Sequence, residues 1–316
     1  MISRRSFNQM LSGAALVAGG ASAYAKASQP MTRVNFQVPD GACDCHTHIH
    51  GDPALFPMSE KRVYTPEAAS PEEMLALHQA LGVRRVVIVT PSVYGTDNSA
   101  TIYGMKFRGA DARGVAVIDS KTSEQELDDL AKLGFKGIRL NLRTNGISDP
   151  ELARLKFLEA EQRVKSRGWH IQINSTLDVL ASIKSTLDES SVPVVFDHFA
   201  GADEAKGIGQ PGFAALVDLV HKGKAYVKIS VTEGVREHYE YFKPLAQTLI
   251  QANPKRILWG TNWPHPSSSS GRPAKELTPL WPVDDGLVLN LLPTWAPDAQ
   301  LRKTILVDNP AKLYAF

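Results

Sequence analysis

Eight runs of β-type sequence recur along this chain, at 41–47, 83–90, 114–118, 137–142, 169–173, 192–196, 225–229 and 256–259. Stretches with helical periodicity separate them, at Pro71–Leu81, 123–133, 150–167, 177–187, 212–222 and 239–252. Continuous apolar strands divided by amphipathic helices are the pattern of parallel strands covered on their outer face. Eight such units in 316 residues, 43% of them hydrophobic, predict an α/β fold of (β/α)8 TIM-barrel type in a single domain. A doubly wound sheet is the competing arrangement, but no G-x-G-x-x-G follows the first strand.

A formal charge of +2 gives no reason to expect nucleic acid or an acidic membrane surface as a partner. The two cysteines, Cys43 and Cys45, lie too close along one strand for disulfide geometry and read as free thiols. Ser3-Arg4-Arg5-Ser6-Phe7 precedes a modestly apolar run rich in Ala and Gly, then small-residue cleavage patterns at Ala21-Ser22-Ala23 and Ala23-Tyr24-Ala25. Residues 1–27 therefore read as a twin-arginine-type signal peptide, which makes the export machinery a partner and the periplasm the destination. The apolar run is too short to span a bilayer, so no stable membrane association is expected. A polar linker at 28–40 leads into the barrel at 41–316.

In such barrels the chemistry sits at the C-terminal strand ends. Those ends carry His46, His48 and His50, then Thr90, Ser92 and Tyr94, then Arg139, Asn141 and Arg143, and Gln172 with Asn174. Asp197 and His198 follow, then Ser230 and Thr232, and finally Thr261, Asn262 and His265. The list is polar, basic and rich in imidazole, which suits a pocket for an anion. Strand alternation turns His46, His48 and His50 the same way, and neutral imidazoles side by side suit a metal or a general acid/base site. His78, His221 and His238 read as solvent-facing, and His170 falls at the beginning of its strand, the opposite end of the barrel.

Asp44-x-His46-x-His48 at the first strand, Phe196-Asp197-His198 at the sixth and Trp259-Gly260-Thr261-x-Trp263-Pro264-His265-Pro266 at the eighth resemble the amidohydrolase superfamily. More closely, they resemble its 2-pyrone-4,6-dicarboxylate lactonase branch. Lys61-Arg62-Val63-Tyr64-Thr65-Pro66 and the closing Asp308-Asn309-Pro310-Ala311-Lys312-Leu313-Tyr314 are similar to that branch too, so the likeness spans residues 40–316. It implies a hydrolase that opens a small anionic lactone of pyrone dicarboxylate or muconolactone type, 4-sulfomuconolactone included. His46, His48 and His198 would polarise the carbonyl. The lactonases place an aspartate base where this chain has Asn262, and an amide accepts no proton at useful pH. His198, His48 and His265 are the candidates to inherit the role, with Asn262 orienting water or carbonyl.

Arg139, Arg143 and Arg236 are the expected partners for acidic substituents, because guanidinium binds planar oxyanions through paired hydrogen bonds. Tyr64, Ser92, Tyr94 and Asn141 complete the expected substrate contacts, and Asp197 is expected to hold a neighbouring histidine or to cap the loop. Superfamily members with a full metal site carry further ligands on strands four, five and eight, where this chain has Arg139, Gln172 with Asn174, and Asn262. The resemblance therefore implies no binuclear site. No cofactor is expected to be required, a single Zn2+ on His46, His48 and His198 being the alternative. Asn262 also raises a rival reading, isomerisation of an aldarolactone, and a third is an exported binding protein without turnover.

Overall fold

The computed structural model describes residues 27–231, 239–267 and 271–316. Eight parallel strands form one sheet in sequential order: β1 (Cys43–Thr47), β2 (Arg85–Val89), β3 (Ala112–Ala116), β4 (Phe135–Asn141), β5 (His170–Asn174), β6 (Val194–Phe196), β7 (Ala225–Lys228) and β8 (Ile257–Leu258). The last strand returns to the first through Cys45 N–H to Trp259 O at 2.9 Å, Asn262 N–H to His46 O at 2.9 Å and His48 N–H to Trp263 O at 2.9 Å. The expected α/β barrel in a single domain is the fold observed.

Local sequence explains the helices on the outside. In α1 (Pro71–Leu81) the Ser70 hydroxyl accepts from Glu73 N–H while the Glu73 carboxylate reaches back to Ser70 N–H, and Gly82 closes the far end at φ 70°. That reciprocal cap satisfies two donors the first turn leaves open. The helix Ser99–Arg108, α2, had no counterpart in the sequence reading, because Gly104 interrupts a weak apolar pattern. A Cβ at Gly104 would lie 2.6 Å from Ile49 Cγ1, so the glycine lets α2 press against the chain after β1. The run read as one helix at 177–187 is two, Leu177–Ser182 and Lys184–Asp188, broken at Ile183.

Alternation along the strands divides the barrel interior into two storeys. Cys43, Cys45, Val87, Val89, Val115, Val195, Tyr226, Leu258 and Tyr314 form one buried apolar cluster, and both cysteines are free thiols. The next inward positions up the strands are polar: Arg139 and Gln172, paired in register, together with Asp197 and Lys228. The apolar storey is the packed floor, and the polar storey is the base of the site.

Candidate active site

The site starts from a break in β1. His46 N–H leaves the ladder and donates to its own neighbour, Asp44 Oδ1, at 3.0 Å, and the register to β2 shifts there. The same Oδ1 accepts Thr261 N–H at 3.0 Å, while Oδ2 accepts the Thr261 hydroxyl at 2.6 Å and faces His78 Nε2 at 3.2 Å. Four donors on one buried carboxylate tie β1, the β8 loop and α1 together and aim His46 into the mouth. His78 is therefore not solvent-facing as its helical position suggested. It is fully buried, with Arg108 donating to its Nδ1 at 2.5 Å. His221 is exposed as expected, and His238 lies outside the described residues.

Three of the predicted imidazoles meet. The rings of His46 and His48 have centroids 4.9 Å apart, and those of His46 and His198 4.5 Å. His46 Nε2 and His48 Nε2 are 3.3 Å apart. His48 Nδ1 lies 2.7 Å from the Val89 carbonyl, which can only accept, so that nitrogen carries the hydrogen. His198 Nδ1 is 2.7 Å from the Ser230 hydroxyl. His50, expected alongside, stacks 6.1 Å from His48, and neither of its ring nitrogens has a hydrogen-bond partner within ordinary geometry among the described residues.

Asp197 is the hub beneath them. Its Oδ2 accepts from Arg139 Nε at 2.9 Å and Gln172 Nε2 at 3.1 Å, and its Oδ1 lies 3.1 Å from His46 Nδ1 and 3.3 Å from Lys228 Nζ. The expectation that Asp197 holds a histidine is met in position. Lys228 was absent from the sequence reading, although a lysine in the otherwise apolar Ala225-Tyr226-Val227-Lys228-Ile229 is its signal. Alternation from the inward Tyr226 places Lys228 inward as well.

Burial pushes His46 well down from the ordinary imidazole value, with Lys228 adding to the effect. Burial does the same for His48, reinforced by Arg139, and takes His198 down to about 3. Burial alone would raise Asp197, but Lys228, His46 and Arg139 outweigh it and hold the carboxylate well below its usual range. At neutral pH the site is three neutral imidazoles above an ionised carboxylate flanked by two cations.

The other expected residues divide. Arg139 is buried, spends Nε on Asp197, and has no hydrogen bond from its terminal nitrogens among the described residues. Asn141 is buried, its side-chain carbonyl oxygen having no hydrogen bond among the described residues, and Arg143 is exposed yet near enough to act on His198 electrostatically. Asn262 has backbone N–H on His46 O, and Ser92 is half-buried. Tyr64 is buried at the first loop. Tyr94, expected to present its hydroxyl to substrate, instead accepts Gly51 N–H at 2.9 Å and holds that loop. His265 turns away from the imidazole group, its Nε2 lying 3.0 Å from the buried Asp285 carboxylate. Arg236 falls outside the described residues.

The backbone is strained where these groups emerge. His198, Phe199 and Ala200 (φ 49°, 53° and 58°) follow β6, and Asn262 and His265 (φ 67° and 61°) follow β8. Left-handed conformations at non-glycine residues cost energy and cluster where a site over-determines the chain.

His46, Asp197 and His198 bring ligand-capable atoms within 4.8 Å of one another, so a residue group able to hold a metal exists. Its donor set does not fit one well. Both Asp197 oxygens are already engaged by cations, and Arg139 with Lys228 exceed the single carboxylate charge before any ion is added. A divalent cation there would face that surplus at low dielectric.

An eight-stranded parallel barrel with imidazoles and guanidinium at its C-terminal strand ends defines a barrel enzyme site. Comparison with known proteins agrees: a family model described as "Amidohydrolase" matches residues 43–316, and the chain belongs to that family. It is 34% identical to a 4-sulfomuconolactone hydrolase of Rhizobium radiobacter, over 89% of this chain and 92% of that one. A 2-pyrone-4,6-dicarboxylate hydrolase of Comamonas testosteroni is 32% identical over 92% and 94%. An apo crystal structure from Agrobacterium tumefaciens superposes with a TM-score of 0.74 at 27% identity, covering 91% of this chain and 98% of that one.

Proposed function

We propose that the protein is a lactone hydrolase whose substrate is a small anionic lactone, in the class of pyrone dicarboxylates and muconolactones and including 4-sulfomuconolactone. The observation that carries this reading is the 3.3 Å approach of His46 Nε2 to His48 Nε2 beside the unbonded terminal nitrogens of Arg139. A neutral His48 with its hydrogen on Nδ1 has a bare Nε2, able to take a proton from water. His46 and His198 stabilise the oxyanion as water adds to the lactone carbonyl, the contribution that is usually largest in acyl transfer; collapse of that adduct then breaks the ring C–O bond, and the proton taken up by His48 passes to the departing oxygen. Arg139 and Arg143 hold the acidic substituents, and Asn262 orients water or carbonyl through its amide. The engaged state of Asp197 supports turnover without a cofactor.

The sequence similarity to two named lactone hydrolases over nine-tenths of the chain supports the substrate class. Asn262 favours one rival, isomerisation, in which a substrate hydroxyl and not water attacks the carbonyl. Proton NMR of the protein with a panel of acidic lactones separates the two. Ring opening to a free acid is the expected result, whereas interconversion of ring sizes without hydrolysis would replace the proposal. The reading also includes export to the periplasm by the twin-arginine-type signal at 1–27, which rests on sequence alone.

A further inference from the structure

Lys228 is fully buried; its ammonium donates to Gln172 Oε1 at 2.6 Å, faces His46 Nδ1 at 3.2 Å and forms an ion pair with Asp197 Oδ1 at 3.3 Å. Asp197 Oδ1 lies 3.1 Å from the same His46 Nδ1, so the two neighbours compete for that nitrogen: the lysine needs it bare and the carboxylate needs it protonated. The opposite end of the same chain of contacts is fixed independently. The Val89 carbonyl requires hydrogen on His48 Nδ1, which leaves His48 Nε2 bare and makes His46 Nε2 the donor across their 3.3 Å contact. His46 Nδ1 must then be bare, which is what a donating Lys228 needs.

We propose that Lys228 is a positioning residue that locks His46 in the tautomer with hydrogen on Nε2: that hydrogen rests on His48 Nε2 in the free protein and turns to the substrate carbonyl on binding, which frees His48 Nε2 as a base and keeps His46 Nε2 closed to metal. This deepens the lactonase reading and rests on it only for what the donor is used for. In a histidine that binds metal, a carboxylate or carbonyl usually takes the distal N–H and leaves the near nitrogen bare. Asp197 stands ready to do so for His46, and Lys228 pre-empts it. The lysine thus selects between two uses of one H-x-H pair.

The test does not depend on turnover. Two-bond proton–nitrogen correlation spectra of wild-type protein labelled with nitrogen-15 histidine, with His46 assigned by comparison with His46→Gln, should show hydrogen on His46 Nε2. Hydrogen on Nδ1 would overturn the proposal. Zinc alone is then titrated calorimetrically into wild type, Lys228→Met and Lys228→Arg. Lys228→Met, which frees Nδ1 to donate to Asp197, should gain zinc affinity by about 10–100-fold. Lys228→Arg, which keeps a cationic donor, should stay with wild type. Equal zinc binding by all three would also sink the idea, and if Lys228→Met does not fold, the wild-type spectrum decides alone. Failure of these outcomes leaves lactone hydrolysis standing, because the NMR assay of lactones reads that separately.

Discussion

Asp197 shows most sharply how single residues set this site. Its carboxylate faces Arg139, Lys228 and His46, all buried, so removing its charge strands two cations in the interior. Asp197→Asn should therefore cost about 3–5 kcal/mol of stability, the usual effect of breaking a buried pair from one side. Urea unfolding of the variant checks this, and a loss under about 1 kcal/mol would mean the ion pairs are solvated. Much at this scale was legible: the Asp-x-His-x-His spacing, Asp197-His198 and Arg139 all reach the mouth. The misses have physical reasons. His265 and Tyr94 follow strands as site residues do, but their polar ends point sideways to Asp285 and Gly51 N–H. His78 is buried because Asp44 needs a fourth donor on the helix side, which no periodicity on α1 discloses.

At the scale of elements, the seam between β1 and β8 carries the geometry. A Cβ at Gly260 would sit 2.9 Å from both His46 Cβ and His46 N. Gly260→Ala should push His46 away from His48 and lower turnover by about 100-fold or more, as displacements near 1 Å do. Lactone turnover and a thermal melt on the same sample check it; unchanged turnover would show that the seam can yield. The strands themselves were readable to within a few residues, because continuous apolar runs define them. The bulge at His46 was not readable, since it depends on a carboxylate meeting a loop more than two hundred residues later. That bulge, and not simple alternation, brings His46 over His48.

For the molecule as a whole, the buried histidines govern behaviour in acid. His50, His170 and His198 are held down at about 3 against an ordinary 6.5, burial being the main cause. Each stays neutral in the fold and takes up a proton on unfolding between those values. The unfolded state therefore binds more protons in that window, and stability falls as pH drops through it. The slope is about 1.4 kcal/mol per pH unit for each proton difference. Asp197, shifted down, adds its own loss only below its ordinary 3.8. Urea midpoints at about pH 7.5 and about pH 5 should differ clearly in favour of the higher pH, and equal midpoints would contradict the neutral assignment. The proposed export is tested at this scale too. Replacing Arg4 and Arg5 together by lysine should leave the protein in the cytoplasmic fraction, and unchanged periplasmic recovery would remove the twin-arginine reading.

The Asp44 carboxylate has a consequence for how such chains can be recombined. Asp44 and His78 lie early in the chain and Thr261 late, yet they share one set of hydrogen bonds. A crossover with a related gene anywhere between residues 78 and 261 parts the two halves of that set. Chimeras should survive only when the incoming half brings a hydroxyl to the position of Thr261. The seam thus makes distant segments heritable as a pair.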